Sequence, residues 1–405
     1  MYLKLAWRNI WRNKRRTWIT LAAIGFAVFF SCTMKSAQLG SYDRMIDNVT
    51  RFYTGYIQVH ANGYWEDKTL DKTFEPSATL VSEINKLEHV EVVAPRLESF
   101  ALASYGQQTK GALVLGVDPV SENSLSSVAD KVVQGKYFKD DDKAVLVSEG
   151  LASYLKLGVG DTLVMISQGY RGINAAAKYP VKGIVKFPAP DLNGQLVYLP
   201  LKEAQWFYGA EERLTSLALI IEHADFTEKV IADINGRLDT ELYEVIGWRE
   251  MMPELIQQIE VDYIGGLIMS YILYAVIGFG IFGTFLMMAT ERTYEFGMMM
   301  AIGMKRFKLQ SIVFIETIII AISGIITGIL AGLPIILYYY YNPVRFTGEY
   351  AEMFEKFGME PIMPFSVAPE VFTSQAWTVL IITTLLAFYP LWAIYKLKIG
   401  AAIRA

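Results

Sequence analysis

Cysteine occurs once in this chain of 405 residues, as Cys32. No disulfide can form within it, so any domain must be held by its own core. Histidine occurs three times, at His60, His89 and His223, far apart and with no C-x-x-C or H-E-x-x-H around them. That leaves no sequence pattern for a metal site. There is no G-x-x-x-x-G-K-[ST] loop to cradle a nucleotide and no G-x-S-x-G elbow. The glycine turn Leu157-Gly158-Val159-Gly160-Asp161 lacks a third glycine and a following helix pattern. The sequence holds no catalytic constellation, and the chain reads as a non-enzyme that binds no cofactor itself.

Charge is also missing where it would matter most. Ile264–Thr290 has no charged residue, and Leu309–Val344 has one, Glu316. Apolar residues make up 53% of the chain and gather in four runs, Thr17–Met34, Tyr263–Thr290, Leu309–Tyr341 and Val371–Tyr395. A helix needs ~20 apolar residues to cross a bilayer. The runs do not alternate with period two, so helices rather than barrel strands are predicted. The predicted fold is an α-helical membrane protein with four transmembrane helices and a large extracytoplasmic α/β domain between the first two.

Orientation is read from Lys and Arg near the span ends. Basic clusters lie before the first run (Lys4 to Arg16), between the second and third (Arg292, Lys305, Arg306, Lys308) and after the fourth (Lys396, Lys398, Arg404). The third-to-fourth connection is acidic, with Glu349, Glu352, Glu355, Glu360 and Glu370. Both termini are therefore expected in the cytoplasm. Gly40–Asp262, with a formal charge of −12, is expected outside, against +8 for the remainder. An acidic domain argues against nucleic acid as a partner. The first run lacks an A-x-A site and is expected to stay as an uncleaved anchor.

The predicted boundaries run as follows. Residues 1–16 form an amphipathic elbow, with Leu3, Trp7, Ile10, Trp11 and Lys14 on one face. Spans follow at 17–39, 263–290, 309–341 and 371–395. The outer domain fills 40–262, with a helix-bearing part at 47–110 and 214–262 and a strand-rich part at 111–213. Residues 291–308 form a polar cytoplasmic segment, 342–370 an outer loop and 396–405 a tail. Gly324, Gly328 and Gly332 repeat the small-xxx-small spacing that lets helices approach closely, either within the chain or against a partner subunit. Glu316, the one acid within a span, reads as an interhelical polar contact. The stretch Ser167–Lys178, SQGYRGINAAAK, reads as a long connection between strands. Tyr170, Arg171, Ile173 and Lys178 there offer an aromatic anchor and positive charge for a protein partner, or else form a plain hairpin.

Three stretches resemble one known family. LAWRNIWRNKRRTWITLAAI is similar to the elbow and first span of the FtsX/MacB/LolE superfamily of ABC transporter permeases. ERTYEFGMMMAIGMKRFKLQSIVFIE resembles its coupling helix, with Glu291, Arg292, Glu295, Gly297, Ala301, Gly303 and Glu316 on motif positions. FYPLWAIYKLKIGAAIRA resembles its closing motif, with Tyr389, Pro390, Trp392, Ala402 and Arg404 matching. Met300 stands where the family commonly has a basic residue, so docking is expected to use the apolar Met298, Met299 and Met300. The resemblance implies porter and sabre subdomains outside, a second permease, identical or homologous, and two cytoplasmic ATPase subunits that supply ATP and Mg in trans. The layout is most like the LolC/LolE type of the bacterial inner membrane. That implies extraction of lipoproteins and handover to a periplasmic carrier or adaptor. The alternatives are MacB-like efflux and FtsX-like regulation of a cell-wall hydrolase.

Overall fold

A backbone surrounded by hydrocarbon must satisfy its N–H and C=O groups internally, so apolar runs of this length become helices. The structure, a computed structural model, describes residues 2–12, 14–187, 189–356 and 361–398. Among these residues four helices are long and apolar enough to cross a membrane: Lys14–Val49, Pro253–Glu291, Arg306–Tyr341 and Pro369–Lys396. All four run past the apolar stretches that announce them, because helical hydrogen bonding does not stop where hydropathy does. The first continues through SYDRMIDNV and ends in a π-helical turn, Thr50–Thr54. The tail beyond Lys398, with Ala402 and Arg404, lies outside the described residues, as does Glu360.

The chain divides into two compact units, residues 1–42, 258–345 and 362–405 in one and residues 43–257 and 346–361 in the other. In the first, the spanning helices share an apolar core that includes Ile24, Val28, Ile281, Phe285, Val313 and Val379. The repeated glycines are taken up by the chain's own first helix. A Cβ at Gly324 would lie 2.7 Å from the Ile24 side chain, and one at Gly328 would lie 2.5 Å from the Gly25 carbonyl oxygen. Gly332 has ordinary clearance, 3.5 Å from Phe29. Gly328→Leu is therefore expected to force the two helices apart and sharply cut the yield of monodisperse protein, whereas Gly332→Ala is expected to leave it unchanged.

The elbow helix is Tyr2–Arg12, and Lys14 already belongs to the first spanning helix. The face expected from spacing divides. Ile10 turns inward with Ala6, while Leu3, Trp7 and Trp11 stay exposed. The elbow packs on the third spanning helix, and the two tryptophans meet edge to face at 6.0 Å. Exposed indoles on a helix of this kind suit the headgroup layer.

The second unit is built on one mixed sheet. Its strands are β1 (Ile57–Ala61), β2 (Val90–Tyr105), β3 (Gln108–Val117), β4 (Val132–Gly135), β5 (Val145–Ser148), β6 (Thr162–Gln168), β7 (Asn174–Val185), β8 (Leu196–Pro200), β9 (Ser216–Ile221) and β10 (Tyr243–Gly247). They lie in the order β10-β1-β9-β2-β3-β8-β5-β7-β4, with β6 paired to β2 and β7. β3–β8 and β5–β7 are parallel and the remaining pairs antiparallel. The division expected at residues 110/111 falls inside β3, and the sheet continues across it through the β2–β3 hairpin. The longest strand, β2, carries no clear strand signal, because Pro95 interrupts its pattern. The structure accommodates Pro95 where the strand pairs only with β9, one residue before the β3 ladder begins at Arg96. The connection expected as a loop at 342–370 also carries structure. A short hairpin, β11 (Val344–Arg345) with β12 (Ile362–Met363), brackets a helix at Glu349–Lys356.

His60 on β1 is buried, with Nδ1 2.7 Å from the Thr215 carbonyl and the ring stacked on Tyr64 at 4.8 Å. Its Nε2 meets no hydrogen-bond partner among the described residues. Burial lowers the His60 pKa from 6.5 to about 4. Between those values the unfolded chain takes a proton that the folded domain refuses, so stability falls as pH falls. The slope is about 1.4 kcal/mol per pH unit in that window, with no contribution above it. Hydrogen exchange of the β1 amides between pH 4 and 7 is expected to show this slope, and His60→Leu is expected to flatten it.

Candidate functional site

Between the second and third spanning helices the chain turns twice within a dozen residues. Glu291 ends one helix, Arg292 leaves helical geometry, and a short helix runs Thr293–Ala301. That helix is closed by a paired C-terminal motif in which the Gly303 N–H donates to Met300 O at 3.0 Å and the Met304 N–H to Met299 O at 3.1 Å. The motif requires a left-handed residue, and Gly303 supplies it at φ +102° with open space around it. Met299 and Met304, the pair such a motif brings together, pack against the membrane core. Gly303 thus sets the direction in which the third helix departs.

The polar side chains of this segment converge inward. The Arg292 guanidinium donates through Nη1 to both Glu316 oxygens at 2.7 and 3.0 Å, and through Nε to Glu295 at 3.2 Å. Glu295 also accepts from Arg12 at the end of the elbow helix. Glu316 is fully buried and Arg292 nearly so, while Glu295 and Arg12 reach solvent. One network therefore joins the elbow, the short helix and the third spanning helix. An arginine suits it, because a planar fork can serve two carboxylates at once. The buried half is the costly half, since a charge taken out of water is tolerable only while its ion-pair and hydrogen-bond partners are present.

The structure brings Arg292, Glu295 and Glu316 together and leaves the other residues of the segment apart from them. Glu291, Ala301 and Gly303 are exposed, Gly297 is buried and Met299 is half-buried. Of the three methionines expected to dock a partner, Met298 alone is exposed; Met300 lies in the core beside Phe296. The helical period turns one residue in three or four toward the core, and here it selects Phe296 and Met300. The outward apolar surface is instead Tyr294, Met298, Ile302 and Phe307. Sequence reasoning passed over Arg12, which reads as one more topology charge. Its signal is a position in the last turn of the elbow, where a cation is favoured.

The second candidate site, Ser167–Lys178, is corrected by the structure. Strand pairing consumes it from both ends, with Ser167 opposite Ala175 and Lys178 opposite Val164, so the connection is only residues 169–173. The alanines gave no alternation to mark a strand, yet the ladder fixes them. Tyr170 is no free anchor. The Arg213 guanidinium sits 4.7 Å from its ring, the ring packs against the domain core, and the Arg171 N–H donates to Asp71 at 2.9 Å. Ile173 and Lys178 stay exposed. Among the described residues no group of three or more His, Cys, Asp or Glu is placed to hold a metal.

The MacB-like periplasmic core domain family matches residues 17–237, more than half of the chain, and the FtsX-like permease C-terminal family matches residues 267–399. The chain is 22% identical to the macrolide export ATP-binding/permease protein MacB 1/2 of Paracoccus denitrificans (strain Pd 1222) over 82% of its own length and 50% of that protein. It is 18% identical to the lipoprotein-releasing system transmembrane protein LolC of Neisseria meningitidis serogroup B (strain ATCC BAA-335 / MC58), over 65% of each. The crystal structure of the periplasmic region of MacB from Actinobacillus actinomycetemcomitans aligns with 53% of this chain and 97% of that one, at 13% identity and a TM-score of 0.37. The chain spans about half the length of the MacB relatives it matches.

Proposed function

The chain belongs to the FtsX/MacB/LolE superfamily of ABC transporter permeases, and from that premise we propose that it transmits ATP-driven motion from a separate cytoplasmic ATPase to its α/β domain. In this reading both termini and the short helix Thr293–Ala301 face the cytoplasm. The α/β domain, with porter and sabre parts, lies outside. Two permeases, identical or homologous, and two ATPases make the complex, with ATP and Mg held by the ATPases. The observation that carries the proposal is the ion network Arg12–Glu295–Arg292–Glu316. A push on the short helix cannot be absorbed locally, because Arg292 and Glu295 tie it to the third spanning helix and to the elbow.

The docking surface in this reading is the exposed face of Tyr294, Met298 and Ile302. Ile302→Glu, at the position 81% exposed, is expected to leave expression and insertion unchanged and to abolish copurification of the ATPase. Full copurification with Ile302→Glu and with Met298→Glu would put the docking surface elsewhere.

For cargo we infer a lipid-anchored protein taken from the membrane and passed to a periplasmic carrier or adaptor. The second spanning helix exposes Ile268, Ile272, Val276 and Phe279, and the first exposes Ile19, Phe26 and Phe30, as acyl chains would require. The second reading is export of a soluble molecule, favoured by the macrolide-export names of the relatives. Val276→Asn with Phe279→Ser is expected to halt release of a lipoprotein from membrane vesicles. The same variant with release intact, and with lost resistance to an exported drug, would favour the second reading.

A further inference from the structure

A groove of about 900 Å³ opens between the third and fourth spanning helices at the end that carries Arg306 and Lys396. Its lining is dominated by aromatic rings, chiefly Phe307, Phe314, Phe388, Trp392 and Tyr395. Four of these remain more than half exposed: Phe307, Phe388, Trp392 and Tyr395. The floor is held by Gln310, whose amide donates to Leu391 O at 2.9 Å, and the rim by Arg306, which donates to Tyr395 O and, at 3.0 Å, to Leu397 O. The groove is thus a feature of two helices locked together.

Charge at the rim is of one sign. Lys396 lies 4.2 Å over the Trp392 ring, Arg306 and Lys308 flank Phe307, and Lys398 follows. Residues 302–314 and 385–398 contain no Asp or Glu. A second copy docked here about a twofold axis would bring the same cations face to face. A neutral lipid would leave them unanswered. An acidic phospholipid answers both features, with acyl chains along the rings and a phosphate among the lysines. Basic pockets between membrane helices hold acidic headgroups for this reason.

We propose that the aromatic groove between the third and fourth spanning helices is a binding site for an acidic phospholipid, whose headgroup phosphate is held by Lys396, Lys398 and Lys308. The site is separate from the network around Arg292, and it needs only that these helices lie in a bilayer, not that the chain couples to an ATPase.

The test uses the full chain in vesicles of phosphatidylcholine doped with brominated-chain phosphatidylglycerol or, at equal fraction, brominated-chain phosphatidylcholine. The chain has eight tryptophans, so the Trp392 signal is taken as the difference between the wild type and Trp392→Phe. Brominated phosphatidylglycerol is expected to quench Trp392 with roughly five- to tenfold higher apparent affinity than its neutral counterpart. Lys396→Ala with Lys398→Ala should erase that preference while leaving the quenching by neutral lipid. Ser311→Phe, which narrows the groove, should weaken quenching by both, and native mass spectrometry should show loss of copurified phosphatidylglycerol. Equal quenching by the two lipids would mean ordinary annular lipid and overturn the proposal. So would absent quenching accompanied by disulfide crosslinking between copies carrying Cys at Phe388.

Discussion

Arg292→Ala is expected to lower the stability of the membrane unit by about 3–5 kcal/mol, because it takes away a guanidinium that bonds both oxygens of the fully buried Glu316. Glu316→Ala should cost a similar amount by taking the buried carboxylate from Arg292 and leaving it the more exposed Glu295. Glu295→Ala should cost under about 1 kcal/mol, since Glu295 keeps water within reach. The double variant Arg292→Met with Glu316→Leu removes both charges and should recover most of the stability. Thermal unfolding of the purified chain in one detergent checks all four. The double variant also separates packing from function. If the network transmits motion, this variant should be folded yet uncoupled, with ATP turnover by the bound ATPase no longer answering to cargo. A double variant that is both stable and coupled would reduce the network to a structural brace.

Glu122→Ala in the α/β domain is expected to be as damaging, again about 3–5 kcal/mol. Arg96 on β2 is fully buried, and its guanidinium donates two parallel bonds of 2.8 Å to Glu122, which Ser126 also bonds at 2.9 Å. The third edge of the same guanidinium donates to the carbonyl of Tyr53, in the π-helical turn that follows the first spanning helix. Tyr56, just beyond that turn, bonds Asp47 through its hydroxyl, and its backbone carbonyl accepts the Trp248 backbone N–H at 2.8 Å. Arg96 thus ties the π-helical turn at residues 50–54 to the longest strand of the sheet. Arg96→Met with Glu122→Leu should restore domain stability, yet leave residues 50–56 open to hydrogen exchange. Protection at those residues unchanged in the double variant would show that the turn is held by Tyr56 and its partners alone.

How legible was all this in the sequence? The spans were, because a bilayer demands long uncharged runs and no other environment does. The short helix between the second and third spans was legible as a polar interruption, whereas the role of Gly303 in closing it was not. Glu316 stood out because a lone acid within an apolar run needs an answer. Its partner could not be read, since Arg292 is 24 residues away and looks like any charge at a span end. In the α/β domain, strands with dense β-branched residues were legible. β2 was not, because a proline and five alanines and serines hide a strand whose place comes from partners on both sides. The stretch 167–178 erred the other way. Small residues looked like loop, and only the facing strand shows them to be ladder.

Residue patterns along the chain were enough to predict four helices long and apolar enough to cross a membrane, an acidic α/β segment, and three motifs like those of one permease superfamily. These are properties of composition and of neighbours along the chain, where apolar length and local charge decide the outcome. Packing between distant segments sets which charges are paired, which methionines face outward, and which glycines are consumed by the chain's own helices. Those outcomes depend on the rotation of one helix against another. A turn of one residue moves a side chain by about 100° around the helix axis, given 3.6 residues per turn. No single stretch of sequence encodes that angle; it is set when distant surfaces pack.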